Sequence, residues 1–417
     1  MATTPEKHDA FAVLKVMDFR LFISFRFFTT IAIQMQSIIV GWQVYQLTKD
    51  PLSLGLIGLA EAIPFISIAL FAGHVADRYN RKRIILWFDL VFLLGTCGLL
   101  LFTYFSKGMI ITFGILPIYV VVAISGIARA FIYPSTIALM AQMVPRELYA
   151  NSSTWNSTTW HIAAITGPAI GGLVYGFFGV KIAYFTVIFF MLVALLLLSF
   201  VKKYIPPPVL EEESLYQRLS SGIKFVFKNQ VLFGTMSLDM FAVLFGGAVA
   251  MLPVFAAEVL NVGPQGLGFL RSAPMAGAVI MSLIIAYRPP MANAGRYLLI
   301  GVTGFGLSII LFALSRNFYL SLGLLMLSGM FDNISVIIRA TTMQLLTPDE
   351  MRGRVASVNS IFIGSSNEIG SFESGVAAKL MGLIPSVIFG GGMTLLVVGL
   401  TAKFAPLLRR LNLKNIK

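Results

Sequence analysis

Apolar stretches of membrane length recur from one end of this chain to the other, each closed by a short polar turn. A helix needs roughly 20 apolar residues to cross a hydrocarbon core of about 30 Å, whereas a barrel strand needs about ten. In lipid the backbone must satisfy its own N–H and C=O groups, so runs of this length have to be helices. Twelve spans are predicted, at about 21–46, 53–75, 84–105, 112–136, 157–179, 182–201, 231–257, 266–287, 297–314, 317–338, 355–380 and 384–406. Composition points the same way. Of 417 residues, 57% are hydrophobic and 12% charged, and the mean hydropathy of +0.86 is outside the range of soluble domains.

A net charge of +13 would suit a nucleic-acid binder if it were clustered, but the basic residues are spread over the turns. With both termini in the cytoplasm, about 23 of the 31 Lys and Arg fall on that side and roughly four outside (Lys49, Lys107, Lys181, Arg316). Arg78, Arg81, Lys82 and Arg83 follow the second span, and Lys202, Lys203, Arg218, Lys224 and Lys228 follow the sixth. The bias predicts a multi-pass protein of the inner (cytoplasmic) membrane with both termini inside. The polar first 18 residues lack the apolar core and cleavage site of a signal peptide. The single Cys97 rules out an internal disulfide and a thiolate metal cluster.

The longest connection, 202–230, carries Lys202, Lys203, the prolines 206–208 and the acidic Glu211–Glu213. It divides the chain into a first half, 1–201, and a second, 231–417. Within it Leu215, Leu219, Ile223, Val226 and Phe227 recur at helical spacing, as in an amphipathic helix on the membrane surface. Shifting the sequence by 203 residues pairs Pro145, Glu147, Asn156, Ser157, Gly167 and Gly172 with Pro348, Glu350, Asn359, Ser360, Gly370 and Gly375. An internal copy of this length predicts two pseudo-symmetric six-helix halves. The expected fold class is an all-α membrane protein of twelve transmembrane helices so arranged, acting as a monomer.

Between the second and third spans the chain reads Gly73, His74, Val75, Ala76, Asp77, Arg78, Tyr79, Asn80, Arg81, Lys82, Arg83. This resembles the conserved cytoplasmic loop of the major facilitator superfamily, with Asn80 in place of a second Gly; Asn also tolerates positive φ. The resemblance implies that Gly73, Asp77, Arg78 and Arg81 form a gating loop that latches one state. Gly167, Pro168, Gly171 and Gly172 are similar to the antiporter motif of exporters in this superfamily, although Thr154 and Ala163 stand where two upstream glycines belong. The entry Asp18–Phe22 with Arg26, the segment Pro134–Asn151 and the stretch Thr347–Val358 resemble the branch containing drug:proton antiporters and enterobactin-type siderophore exporters.

Ionisable side chains at helix centres cost on the order of 2.5–3.5 kcal/mol by insertion scales, so each calls for an explanation. Glu61, Asp239 and Glu368 are the deepest acids, and a carboxylate whose access to water alternates can carry a proton. Arg26, Asp89, Arg129 and Asp332 are placed nearer the cytoplasmic ends, where they could pair across helices one, three, four and ten. A proton-coupling role and a structural salt-bridge network are both open for this set; by resemblance Arg129 is the helix-four arginine that often joins in coupling. Gln34, Gln36, Gln43, Asn156 and Asn367 add neutral polar groups, and His161 reads as a packing histidine. Aromatics such as Phe65, Trp160, Phe241 and Phe245 lean the cavity toward a large, amphipathic or cationic solute.

No Gly-rich phosphate loop is present and His74 and His161 lack metal-ligand spacing, so no enzyme, cofactor or metal is expected. The partners implied are a small-molecule substrate, protons and the lipid bilayer. The resemblance favours proton-coupled efflux of a hydrophobic, drug-like or siderophore-like molecule; proton-linked nutrient import and lysophospholipid transport remain as alternatives.

Overall fold

The computed structural model describes residue 9 and residues 11–202, 204 and 215–415, which form helices, turns and coil with no strand among them. The first four long helices are α1 (Met17–Thr48), α2 (Pro51–Arg78), α3 (Arg81–Tyr104) and α4 (Leu116–Met143). A helical stretch, Tyr149–Phe200, follows and is broken at Gly179 into α5 (149–178) and α6 (180–200). After a linker helix, Leu215–Lys228, come α7 (Gln230–Phe245, resuming as 248–259), α8 (Gly263–Tyr287), α9 (Ala294–Leu314), α10 (Phe318–Leu346), α11 (Arg352–Met381) and α12 (Leu383–Phe404).

Among the described residues, ten helical stretches are long and apolar enough to cross a membrane. One of them, Arg146–Phe200, has 55 residues, about 80 Å of helix and more than two bilayer cores. Gly179, at φ 82°, folds it back on itself. α11 is not among the ten because Ser, Asn and Glu interrupt its apolar run; it is packed between α2 and α7 instead of facing lipid all round.

The repeat is visible in the backbone. Gly382 turns α11 into α12 at φ 88°, 203 residues after Gly179, at a conformation that L side chains resist. Gly126 of α4 lies so close to α2 that a Cβ would stand 2.5 Å from the Glu61 carbonyl oxygen, and Gly329 of α10 lies still tighter on the Pro274 carbonyl of α8. The halves meet through a repeated contact as well. Gly55 of α2 abuts Gly375 of α11, and Gly268 of α8 abuts Gly172 of α5, with a Cβ at Gly172 meeting the Gly268 Cα at 2.8 Å. Hydrocarbon chains are as apolar as leucine, so close van der Waals approach of small residues is what joins helices here.

Those contacts lie toward the end of the bundle where α1 passes into α2 and α11 into α12, the far end. One apolar core spans both halves there, including Met35, Ile39, Tyr184, Met251, Phe255, Leu270, Phe312 and Ala378. Lys379 reaches Asp50 across the halves at 3.1 Å, and the Tyr45 hydroxyl donates to Glu258. At the opposite, terminus-bearing end the cores are separate: Phe19, Phe22, Leu139 and Leu198 in the first half, Leu298, Ile338 and Leu408 in the second. The bundle is sealed at one end and divided at the other.

Several element bounds differ from those expected. α4 begins at Leu116 because residues 106–113 form a separate short helix, closed by Gly114 at φ 59°. That moves Arg129 from near a helix end to the middle of α4. The expected gating loop is mostly helix: Gly73, Asp77 and Arg78 lie on the last turns of α2, and Arg81 opens α3. Asn80 adopts φ −63°, not a positive value, because its side chain caps α3 by accepting from the Arg83 amide. The linker helix is also more than a surface tether. Val226 is buried with Met236, Val355 and Val358, and Gly222 abuts the backbone of Arg354 at the start of α11; Ile223 and Phe227 are exposed. The side chains of Leu215 and Leu219, and the residues 205–214, lie outside those described.

A Gly172→Val substitution is expected to force α5 from α8 and open the far end. In a Cys97→Ser background, cysteines at Asp50 and Lys379 should be joined by a short bifunctional thiol reagent, and adding Gly172→Val should lower the yield several-fold. An unchanged yield would show that this contact does not hold the far end shut.

Candidate functional site

Where the two α2–α11 and α5–α8 contacts approach mid-membrane, four charged side chains converge. Glu61 of α2 and Arg129 of α4 form an ion pair within the first half, the arginine still 42% exposed along its side chain. Gly126, one turn before Arg129, sets the spacing: with no Cβ it lets α4 rest on the Glu61 backbone. Glu368 of α11 comes from the second half, and its carbonyl lies 3.0 Å from where a Cβ on Gly58 would stand. Glu368 is within electrostatic reach of Glu61, Arg129 and Arg271 of α8. At a rise of about 1.5 Å per residue, Glu61 lies about 15 Å and Glu368 about 20 Å from the far ends of their helices.

The wall beside this cluster is irregular. α7 stops at Phe245, passes through Gly246 and Gly247, and resumes as a 3₁₀ turn from Ala248 to Met251 followed by a π turn from Phe255 to Val259. Gly370 presses on the Leu244 carbonyl and Gly390 on that of Phe245, while the Ser374 hydroxyl donates to the Gly247 carbonyl at 3.3 Å. Unwound backbone at membrane depth survives only when it is buried in protein or lines a wet cavity. It is the usual place for a solute or ion site in secondary transporters.

Of the residues singled out from sequence, the structure gathers Glu61, Arg129 and Glu368 and leaves others elsewhere. Asp239 is paired with Arg339 of α10, both under 8% exposed, and Ser335 lies 3.4 Å from its other oxygen; Asp332 stands two turns before Arg339 on the same helix. Asp89 of α3 is 0% exposed, with Arg26 in electrostatic reach and neither carboxylate oxygen hydrogen-bonded. Arg129 therefore does not join Arg26, Asp89 and Asp332; its mid-helix position brings it to Glu61. Gly167 and Gly171 face Ile31, Gln34 and Met35 of α1, while Pro168 and Gly172 face α8, so the antiporter-like motif packs on two sides at once.

Two of the neutral polar residues, Gln36 and Gln43, are structural. Gln36 accepts from Thr96 at 2.6 Å, and Gln43 joins Thr103 and Tyr184, tying α1 to α3 and α6 rather than facing a cavity. The His161 Nδ1 is 2.7 Å from the Ser157 carbonyl of its own helix. At the terminus-bearing end Asp77 and Arg78 are exposed. Arg81 is buried and donates to the Ala76 and Ala138 carbonyls, with Asp77 in electrostatic reach. Gly73 has open space where a Cβ would be.

Two arginines escaped the sequence reading for different reasons. Arg271 lay inside the span 266–287 but was not singled out, whereas Arg339 stood just beyond a span ending at 338, yet α10 runs to Leu346 and places it inside. An arginine in an apolar run is the signal that would have found them.

Paired helical halves, a sealed far end and a charged mid-membrane cluster beside a broken helix define a secondary transporter with the major facilitator fold. A family model described as transmembrane secretion effector matches residues 8–415, and the chain belongs to that family of major facilitator transporters. It is 25% identical over 382 residues to the enterobactin exporter EntS of Shigella flexneri, covering 91% of this chain and 90% of the relative. Among solved structures it resembles a bacterial homologue of the iron transporter ferroportin in the inward-facing state (TM-score 0.72, 15% identity, 94% of this chain and 99% of that one). It also resembles a POT family transporter in complex with 5-aminolevulinic acid (TM-score 0.74, 12% identity, 94% and 96%). At these identities the solved structures speak to the fold alone.

Removing one member of a buried ion pair strands the other charge and costs about 3–5 kcal/mol, whereas apolar replacement of both is near neutral. Asp239→Asn is accordingly expected to lower the thermal midpoint of the detergent-solubilised protein sharply, and Asp239→Leu with Arg339→Met to restore most of it. Equal midpoints for Asp239→Asn and wild type would remove the structural role given to this pair.

Proposed function

We propose that this chain is a proton-coupled exporter of the inner membrane, moving a hydrophobic, drug-like or siderophore-like small molecule by alternating access of its halves, 1–201 and 231–417. The observation that carries the reading is the convergence of Glu61, Glu368 and Arg129 from both halves beside the unwound segment of α7. Arg129 pairs directly with one of the two carboxylates at a time, so both cannot be charged and held by that guanidinium at once. Whichever loses the guanidinium has reason to take a proton, and rocking of the halves decides which one that is.

In this reading the terminus-bearing end is cytoplasmic and the conformation is open to the cytoplasm, so solute enters from inside. Binding is followed by rocking about the glycine contacts: Gly172 parts from Gly268 and Gly55 from Gly375, while Asp77, Arg78 and Arg81 close the inner end. Protons entering from outside return the transporter. The similarity to an enterobactin exporter over most of both chains supports the outward direction. Proton-linked import and lysophospholipid movement are the readings the experiment separates.

In everted vesicles with an imposed pH gradient, the wild type is expected to accumulate a catecholate siderophore or a lipophilic dye, with a protonophore abolishing uptake. Glu61→Gln and Glu368→Gln should each reduce gradient-driven uptake to background while leaving equilibrium exchange across the membrane measurable. Gradient-driven uptake that survives both substitutions would move the coupling site elsewhere; movement of these solutes only in right-side-out vesicles would mean import.

A further inference from the structure

Arg271 is held in place more firmly than its charge is satisfied. Its helix is pinned to α5 on both sides of it: Gly268 abuts Gly172, and the Ser272 hydroxyl donates to the Ile165 carbonyl at 2.6 Å. The side chain reaches the unwound part of α7, where one Nη1 contact to the Val249 carbonyl measures 3.4 Å, the long limit of a hydrogen bond. Among the described residues no carboxylate approaches it to the 4.0 Å of an ion pair, although Glu368 and Glu61 are within electrostatic reach. Arg129, within electrostatic reach of the same two carboxylates, has its partner in Glu61.

The repeat sharpens the contrast. The position 213 residues before Arg271 is Gly58, the same offset that relates Gly55 to Gly268. Gly58 is pressed against Ser371 and the Glu368 carbonyl, where any side chain would clash. The equivalent place in the other contact carries a guanidinium with most of its five N–H donors unused. A planar fork of donors, half-buried and next to freed backbone, is suited to an organic oxyanion. Phe241 and Phe245, 6.5 Å apart and stacked, end the regular part of α7 just before the break.

We propose that Arg271 is the anion-recognising residue of the transport site, so that the solute carries a carboxylate or phenolate oxygen rather than a cationic centre. This rests on the transport reading above. Within it, Arg271 grips the solute's oxyanion, and Glu368, the nearest carboxylate not already in an ion pair, is repelled by that oxyanion unless it is protonated. Solute and proton are thereby linked at one place in the fold.

The test uses the full chain in lipid nanodiscs and three probes of one size: salicylate, its neutral analogue salicyl alcohol, and benzylammonium, with binding read by saturation-transfer NMR. Salicylate is expected to bind the wild type, with the neutral and cationic analogues at least about tenfold weaker, the loss that goes with removing a charge-assisted hydrogen bond. Arg271→Gln should weaken salicylate by a similar factor and Arg271→Lys should keep much of the affinity. Preference for benzylammonium, no binding of salicylate to folded wild type, or salicylate binding untouched by Arg271→Gln would each overturn the proposal. If Arg271→Gln does not fold, the wild-type order of the three probes decides. A correct order without gradient-driven export would leave the charge preference standing and remove the export reading; export with the wrong order would remove this inference alone.

Discussion

Two glycine-on-glycine contacts govern this molecule. Gly55 with Gly375 and Gly172 with Gly268 bring helices of opposite halves to backbone distance at the far end. Between helices in lipid there is little hydrophobic gain to be had, so the strength of a contact depends on how closely the chains approach. Everything else in the arrangement follows from where those contacts are. The shared apolar core lies beside them, the halves separate beyond them, and the charged cluster occupies the depth at which they end.

A contact made of small residues is tight but shallow. It interlocks few side chains, so separating it requires little repacking, which suits halves that must part and rejoin. The ion pair across the same end is weak for the same purpose. Lys379 and Asp50 are 52% and 33% exposed along their side chains, and a pair so exposed contributes about 0–1 kcal/mol. The interactions that must not change are treated differently: Asp239 with Arg339, and Gln43 with Thr103 and Tyr184, are buried and lie wholly within one half.

The charges divide along the same line. Those inside one half, such as Asp239 with Arg339, hold helices of that half together. Those at the boundary, Glu61, Arg129, Glu368 and Arg271, have fewer partners than their charges could use. Under the proposed function that shortage is the working feature, because a site that is already neutral and fully bonded has no reason to take up a proton or a solute.

The sequence by itself determined that the chain is a helical membrane protein of this superfamily. That conclusion rests on lengths of apolar runs, a 203-residue offset and the residues around Asp77 and Pro168, all legible in the chain without a fold. It also marked Glu61, Arg129 and Glu368, because a charge in an apolar run is conspicuous without any fold. It misplaced Arg129 and left Arg339 outside its span, since a helix end shifted by a few residues turns a buried charge into an apparent flank, and it passed over Arg271 although that residue lay inside an expected span. Only the tertiary structure decided which charges meet. Asp239 and Glu368 look alike in sequence, both deep acids, but one faces α10 of its own half and the other faces α2 across the boundary. Partnership between helices distant in the chain is set by rotation and depth in the bundle, and those depend on the glycine contacts acting together rather than on any one segment.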